Sequence, residues 1–133
     1  MTRYVVDAVT LLHLIETDTP VDGRHQLVAP NLIRSEVLTL LLQAVRGGRL
    51  SDDEASRHLD RLAEVKMRLL GDRVSRRTAW RLAREQGWDT TALAEYLAVT
   101  RPQADAFVTL DPAVAEVAAR PVPTATVAEL VAA

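Results

Sequence analysis

Short apolar, partly β-branched runs alternate with helical segments along the whole chain, and this alternation narrows the possible folds more than any other feature. Tyr4 to Val6, Gln26 to Ala29 and Ala106 to Leu110 read as strands, the last being the clearest. Helical patterns fill the intervals at Val9–Glu16, about Leu32–Arg46, Arg76–Gln86, about Thr91–Thr100 and Pro112–Ala119. Ser51-Asp52-Asp53-Glu54 has capping-box spacing and predicts a helix reaching about Leu70. Gly47-Gly48 closes the second helix, Gly87 the basic one, and Pro102 marks the end of the one before the Ala106 strand. Asp72–Val74 and Pro121–Pro123 are candidates for brief strands, the latter at an edge because proline is tolerated there. Such alternation predicts α/β layering around a small, mainly parallel sheet, in one domain spanning residues 1–133.

Composition supports that size of fold. The 133 residues are 48% hydrophobic, enough for one core and too few for two ordinary domains. The absence of cysteine excludes a disulfide scaffold, a Cys-ligated zinc site and a thiol nucleophile. Nothing near the N-terminus reads as a targeting signal, since Asp7 interrupts the apolar residues. No run approaches the ~18 apolar residues needed to span a bilayer. A soluble, cytoplasmic protein is expected.

Net charge is −2, from 16 basic and 18 acidic residues. That balance hides an asymmetry. Between Arg57 and Arg84 nine basic residues face three acids, an excess of +6, so the remainder carries −8. A basic surface beside an acidic site suits phosphate binding. Arg73, Arg76 and Arg77, clustered next to a predicted loop, are the candidate phosphate contacts. A solvated helical face with ion pairs such as Glu64 with Arg68 explains the same pattern. Trp80 and Trp88 read as core or interface anchors, and His13 as a packed or interface residue.

The acids need explaining by position. Asp7 and Asp111 each follow a strand directly, so parallel pairing of those strands places both on the carboxyl edge of the sheet, where α/β proteins bind ligands. A strand-ending Asp also serves as an N-cap. Glu36 shares a helix face with Leu32, Ile33 and Leu40, and a carboxylate there is costly unless paired or metal-bound. A solvated Glu at the rim of that stripe is the competing explanation. Asp89, before the Thr91 helix, could cap it or join the other acids. Converging carboxylates repel unless they share protons or hold a cation, and oxygen ligands favour Mg²⁺ or Mn²⁺. Such an ion polarises a phosphodiester and activates water, so metal-dependent phosphodiester hydrolysis is the reaction class implied.

Three segments, Val5-Val6-Asp7-Ala8, Leu27 to Val37 (with Pro30-Asn31-Leu32 and Ser35-Glu36) and Ala106 to Asp111, together with Ala94-Glu95-Tyr96-Leu97-Ala98, resemble PIN-domain ribonucleases of the VapC toxin type. The likeness covers nearly the whole chain; each motif is short, and their order and spacing carry the resemblance. It implies a three-layer α/β/α sandwich and a Mg²⁺- or Mn²⁺-dependent endoribonuclease, the toxin of a toxin–antitoxin pair restrained by a small VapB-like antitoxin. Asp7, Glu36 and Asp111 match acidic positions of that family, and Thr109 matches a supporting hydroxyl two residues before the last acid. One position departs: where the family carries an acid on the last long helix, this chain has Leu93. Asp89 is the favoured replacement, one turn earlier if the helix extends that far, with Glu95 in reserve. The departure also admits a PIN-like module that binds RNA or antitoxin with weak or no catalysis. Val9 stands where many relatives have Ser or Thr.

Apolar faces on the Leu32–Val45 helix and on the one carrying Leu59, Leu62, Leu69 and Leu70 exceed what a small sheet covers, which marks partner sites. A homodimer and an antitoxin groove are what the resemblance implies for them. Other classes fit less well. A phospho-acceptor receiver domain needs an acidic pair after the first strand, which Asp7-Ala8 lacks. No Gly-rich loop follows a strand, which disfavours a nucleotide-binding Rossmann fold.

Overall fold

The computed structural model describes residues 1–131, so the last two residues of the expected 1–133 unit lie outside the described residues. Strands β1 (Thr2–Val6), β2 (His25–Pro30), β3 (Met67–Leu70), β4 (Ala106–Val108) and β5 (Thr124–Ala125) form one sheet in the order β3-β2-β1-β4-β5. Every pairing is parallel. Helices α1 (Ala8–Glu16), α2 (Leu32–Arg46) and α3 (Asp52–Glu64) pack together, while α5 (Ala92–Gln103) lies against β1, β2 and β4 with α4 (Arg73–Gln86) beside it. Helices α6 (Pro112–Ala118) and α7 (Val127–Leu130) complete the chain. The architecture is a three-layer α/β/α sandwich with a parallel sheet.

Parallel strands must be buried on both faces, which explains their uninterrupted apolar runs. Val5, Val6, Val28, Phe107 and Val108 are all at or near zero exposure, as are Leu11, Leu97 and Leu130, which join the same core. Strand order reverses between β1 and β4, so the topological switch point lies at their carboxyl ends. Asp7 follows β1 directly, while β4 ends at Val108 rather than at Leu110 as the sequence suggested, so Asp111 stands three residues beyond it at the start of α6.

Several boundaries differ from the sequence reading. The helix predicted to reach Leu70 ends at Glu64, with Val65 in extended conformation, and Met67–Leu70 instead pairs with Leu27–Pro30 as an edge strand. Local pattern did not reveal this, because an apolar run of four residues suits a helix or a strand until a neighbouring strand satisfies its backbone groups. Leu69 and Leu70 therefore do not extend an apolar face of α3, and Glu64 and Arg68 share no helix. The predicted Asp72–Val74 strand is absent: Asp72 caps α4, accepting from the Ser75 amide at 2.7 Å. The basic helix accordingly starts at Arg73, not Arg76. Pro102 lies within the last turn of α5, which continues to Gln103. The C-terminal edge strand is Thr124–Ala125, not Pro121–Pro123, although the Pro123 carbonyl accepts from Phe107 N at 2.9 Å. Proline has no N–H for a ladder, so pairing proper starts beyond it.

Among the described residues no helix is long and apolar enough to cross a membrane.

Candidate metal and phosphodiester site

The site is built on local capping first. Asp7 caps α1, its Oδ1 accepting from the Thr10 amide at 3.0 Å. Its other oxygen, Oδ2, accepts from the Thr109 hydroxyl at 2.6 Å. That same Thr109 oxygen accepts from the Asp111 amide at 3.2 Å. Thr109 thus ties the carboxyl ends of β1 and β4 together and links Asp7 to the backbone of Asp111. The fully buried Thr10 strengthens the link, its hydroxyl accepting from Leu110 N at 2.9 Å. Asp111 is exposed and caps α6, accepting from the Ala113 and Val114 amides, with Pro112 at the first helical position.

Glu36 sits half-buried on the flank of α2, beside the buried stripe of Ile33, Val37, Leu41 and Ala44. Its partner is Tyr96 of α5, whose phenol donates to Glu36 Oε1 at 2.5 Å. The pairing joins the two helical layers at the carboxyl edge of the sheet. Burial, the hydrogen bond to Glu36 and the charge of Glu36 together push the Tyr96 phenol far above its ordinary value, with Asp7 adding to the effect. Tyr96 is therefore held in its neutral, donating form against Glu36.

Asp7, Glu36 and Tyr96 line one open cleft of about 480 Å³, with Leu32, Leu93 and Val114 in its walls. The structure brings together two of the four acids expected to converge. Asp111 lies one hydroxyl away through Thr109. Asp89 is exposed in the loop before α5, which begins only at Ala92, so the extension that would have set Asp89 one turn behind Leu93 does not exist. Asp89 does not line that cleft but a neighbouring hollow with Trp88 and Val117, and the two share Leu93 and Val114 in their walls. Glu95 faces another hollow, with Asn31 and Arg76, and accepts from the Thr91 hydroxyl at 3.3 Å.

Two carboxylates opening on one cleft suit a largely hydrated Mg²⁺, which takes one or two protein carboxylates and completes its shell with water and substrate phosphate. Asp7 and Glu36 are the residues that fit it. Among the described residues no three His, Asp or Glu side chains gather into a fuller ligand group.

Sequence reasoning assigned no role to Tyr96. The available signal was a tyrosine in a nearly all-apolar helix stretch, since a buried phenol needs a hydrogen-bond partner. Its partner lies 60 residues away and could not be read locally. Arg73, Arg76 and Arg77 all lie exposed on α4. Trp80, read as a core or interface anchor, is not in the core: it is 64% exposed on the same helix. Trp88 does pack against the core, and His13 is exposed on α1. On α2, Leu38 and Leu42 are 49% and 60% exposed.

Comparison with known proteins gives the fold. No protein-family model matches the chain, and no curated protein sequence matches it. Among solved structures, the crystal structure of PAE2754 from Pyrobaculum aerophilum is similar, with a TM-score of 0.74 and 25% sequence identity. That similarity covers 96% of this chain and 91% of the other.

Proposed function

We propose that the chain is a Mg²⁺- or Mn²⁺-dependent endoribonuclease of the PIN type, acting as the toxin of a toxin–antitoxin pair. The observation that carries the reading is the opening of Asp7 and Glu36 onto one cleft at the switch point of a parallel sheet. A divalent ion there supplies Lewis-acid polarisation of a phosphate oxygen and activation of water. Asp7 is held by Thr10 and Thr109, and Glu36 by Tyr96, so both carboxylates are oriented before substrate arrives. Tyr96 keeps its proton and acts as a fixed donor to Glu36. Asp111, tethered through Thr109, is the third acid at the rim.

The cleft wall at Leu93 favours a second reading, a PIN-like module that binds RNA or an antitoxin with little turnover, because a leucine adds no oxygen ligand where the resemblance expects a further acid. The exposed Leu38 and Leu42 on α2 support an apolar contact, with an antitoxin helix or a second copy of the chain as the candidates.

The deciding experiment incubates purified protein, freed of any partner, with structured and single-stranded RNA, with and without Mg²⁺ or Mn²⁺. Metal-dependent cleavage that disappears in Asp7→Asn supports the nuclease. A wild type that cuts none of these substrates with either metal overturns it in favour of the binding module.

A further inference from the structure

One face of α4 carries Arg73, Arg76, Arg77, Arg81 and Arg84 around Trp80, together bordering an open concavity of about 650 Å³. Their spacing of three, four, seven, eight and eleven residues from Arg73 is that of a single helical stripe, ~16 Å long at 1.5 Å per residue. All five arginines are exposed. Among the described residues ion pairs form at Arg24–Asp22 and Arg61–Asp18, and none involves this stripe. The indole is 64% exposed and stands among these cations, so its π-face is open to a ligand that the arginines would hold.

We infer that this stripe is a docking surface for single-stranded RNA, with a base stacked on Trp80 and the flanking phosphates held by the arginines. The chemistry selects the occupant. Five unpaired guanidiniums call for a polyanion, and an exposed indole between them calls for a planar π-face, a combination that a single strand carries at every nucleotide and an acidic peptide only where an aromatic residue flanks its carboxylates. The surface also leads to the acidic cleft. Arg76 borders both the stripe and the 150 Å³ hollow at the carboxyl ends of β2 and β3, and Leu32 borders both that hollow and the cleft with Asp7 and Glu36. Stripe, hollow and cleft thus adjoin one after another along this side of the molecule, the route a strand anchored at Trp80 would follow to the carboxylates. The choice of RNA over DNA rests on the nuclease reading above; the path and the anchor do not.

The test measures binding without cleavage. The full-length chain is titrated against a fluorescein-labelled single-stranded RNA 12-mer in EDTA by fluorescence anisotropy, beside a DNA of the same sequence and a poly-glutamate competitor. Trp80→Ala is expected to weaken RNA binding about tenfold or more, with Trp80→Phe recovering most of it. Arg77→Ala is expected to reduce the salt slope by about 0.7. Unchanged affinity in a folded Trp80→Ala, tighter binding of the DNA, displacement of RNA by poly-glutamate at equal charge concentration, or no RNA binding at all overturns the proposal. Trp80-dependent binding without any metal-dependent cleavage refutes the nuclease and leaves this surface standing. Cleavage with Trp80-independent binding does the reverse.

Discussion

Tyr96 donates its phenolic hydrogen to Glu36 at 2.5 Å, and the two residues belong to helices 60 positions apart. Glu36 is thereby held at the cleft by a neutral donor, leaving its negative charge available to a cation. Tyr96→Phe removes the donor and keeps the ring. We expect the fold to persist and Mg²⁺ affinity, read by calorimetry, to fall about tenfold or more, the usual effect of losing a partner that orients a ligating group. Unaltered Mg²⁺ affinity refutes the orienting role.

The same pair sets an alkaline limit on stability. The Tyr96 phenol ionises far above its ordinary value of 10.0 because it is buried against Glu36. The unfolded chain releases that proton near pH 10 while the folded chain keeps it, so this contribution to stability is intact below about pH 10 and declines as pH rises further. Absorbance at 295 nm checks it: in the folded state, wild type and Tyr96→Phe should give the same tyrosinate signal, and on alkaline unfolding the wild type should exceed the variant by one tyrosinate.

Thr109→Val is nearly isosteric but leaves Asp7 Oδ2 and the Asp111 amide without their shared partner. A loss of about 1–3 kcal/mol is expected, the cost of leaving the part-buried Asp7 oxygen without its partner, while the exposed Asp111 amide turns to water. Urea unfolding measures it, and a midpoint equal to wild type refutes the bridging role.

Leu93→Asp places a third carboxylate on the cleft that Asp7 and Glu36 already line. Affinity for Mg²⁺ should rise with ligand charge, at some expense in stability because Leu93 packs against the core. Asp89→Asn, in the neighbouring hollow, should leave metal-dependent cleavage unchanged. Loss of cleavage in Asp89→Asn would instead restore Asp89 as the stand-in for Leu93.

Phe107→Ala removes a fully buried ring from β4, the strand beside the switch point. About 3–5 kcal/mol of destabilisation is expected, read from the urea midpoint. A cost under 1 kcal/mol is inconsistent with Phe107 as a central core residue.

What could be read from the chain alone was local. Asp7 reaches the amide of Thr10, Ser51 forms its capping box with Glu54, and Asp111 meets Ala113 and Val114, all within three residues. Such contacts are written in contiguous sequence, so the caps and most helix starts followed from spacing. The alternation of apolar strands with helices likewise sufficed for α/β layering around a mainly parallel sheet, since buried strands need apolar residues on both faces. Asp89 could not be placed this way, because α5 starts at Ala92 behind Thr91, which makes no side-chain cap hydrogen bond that spacing could have revealed.

Tertiary structure decided what depended on distant partners. Met67–Leu70 is a strand because Leu27–Pro30 offers it a parallel ladder. Glu36 is tolerated on its half-buried flank because α5 delivers Tyr96. Trp80 is exposed because α4 buries Ala79, Leu82 and Ala83 instead. The acid balance of the sequence held both the Asp7–Glu36 cleft and the arginine stripe, but only the strand order joined them along one edge. Pairings between segments far apart in sequence are settled by sheet order and helix packing, and no window of residues contains that information.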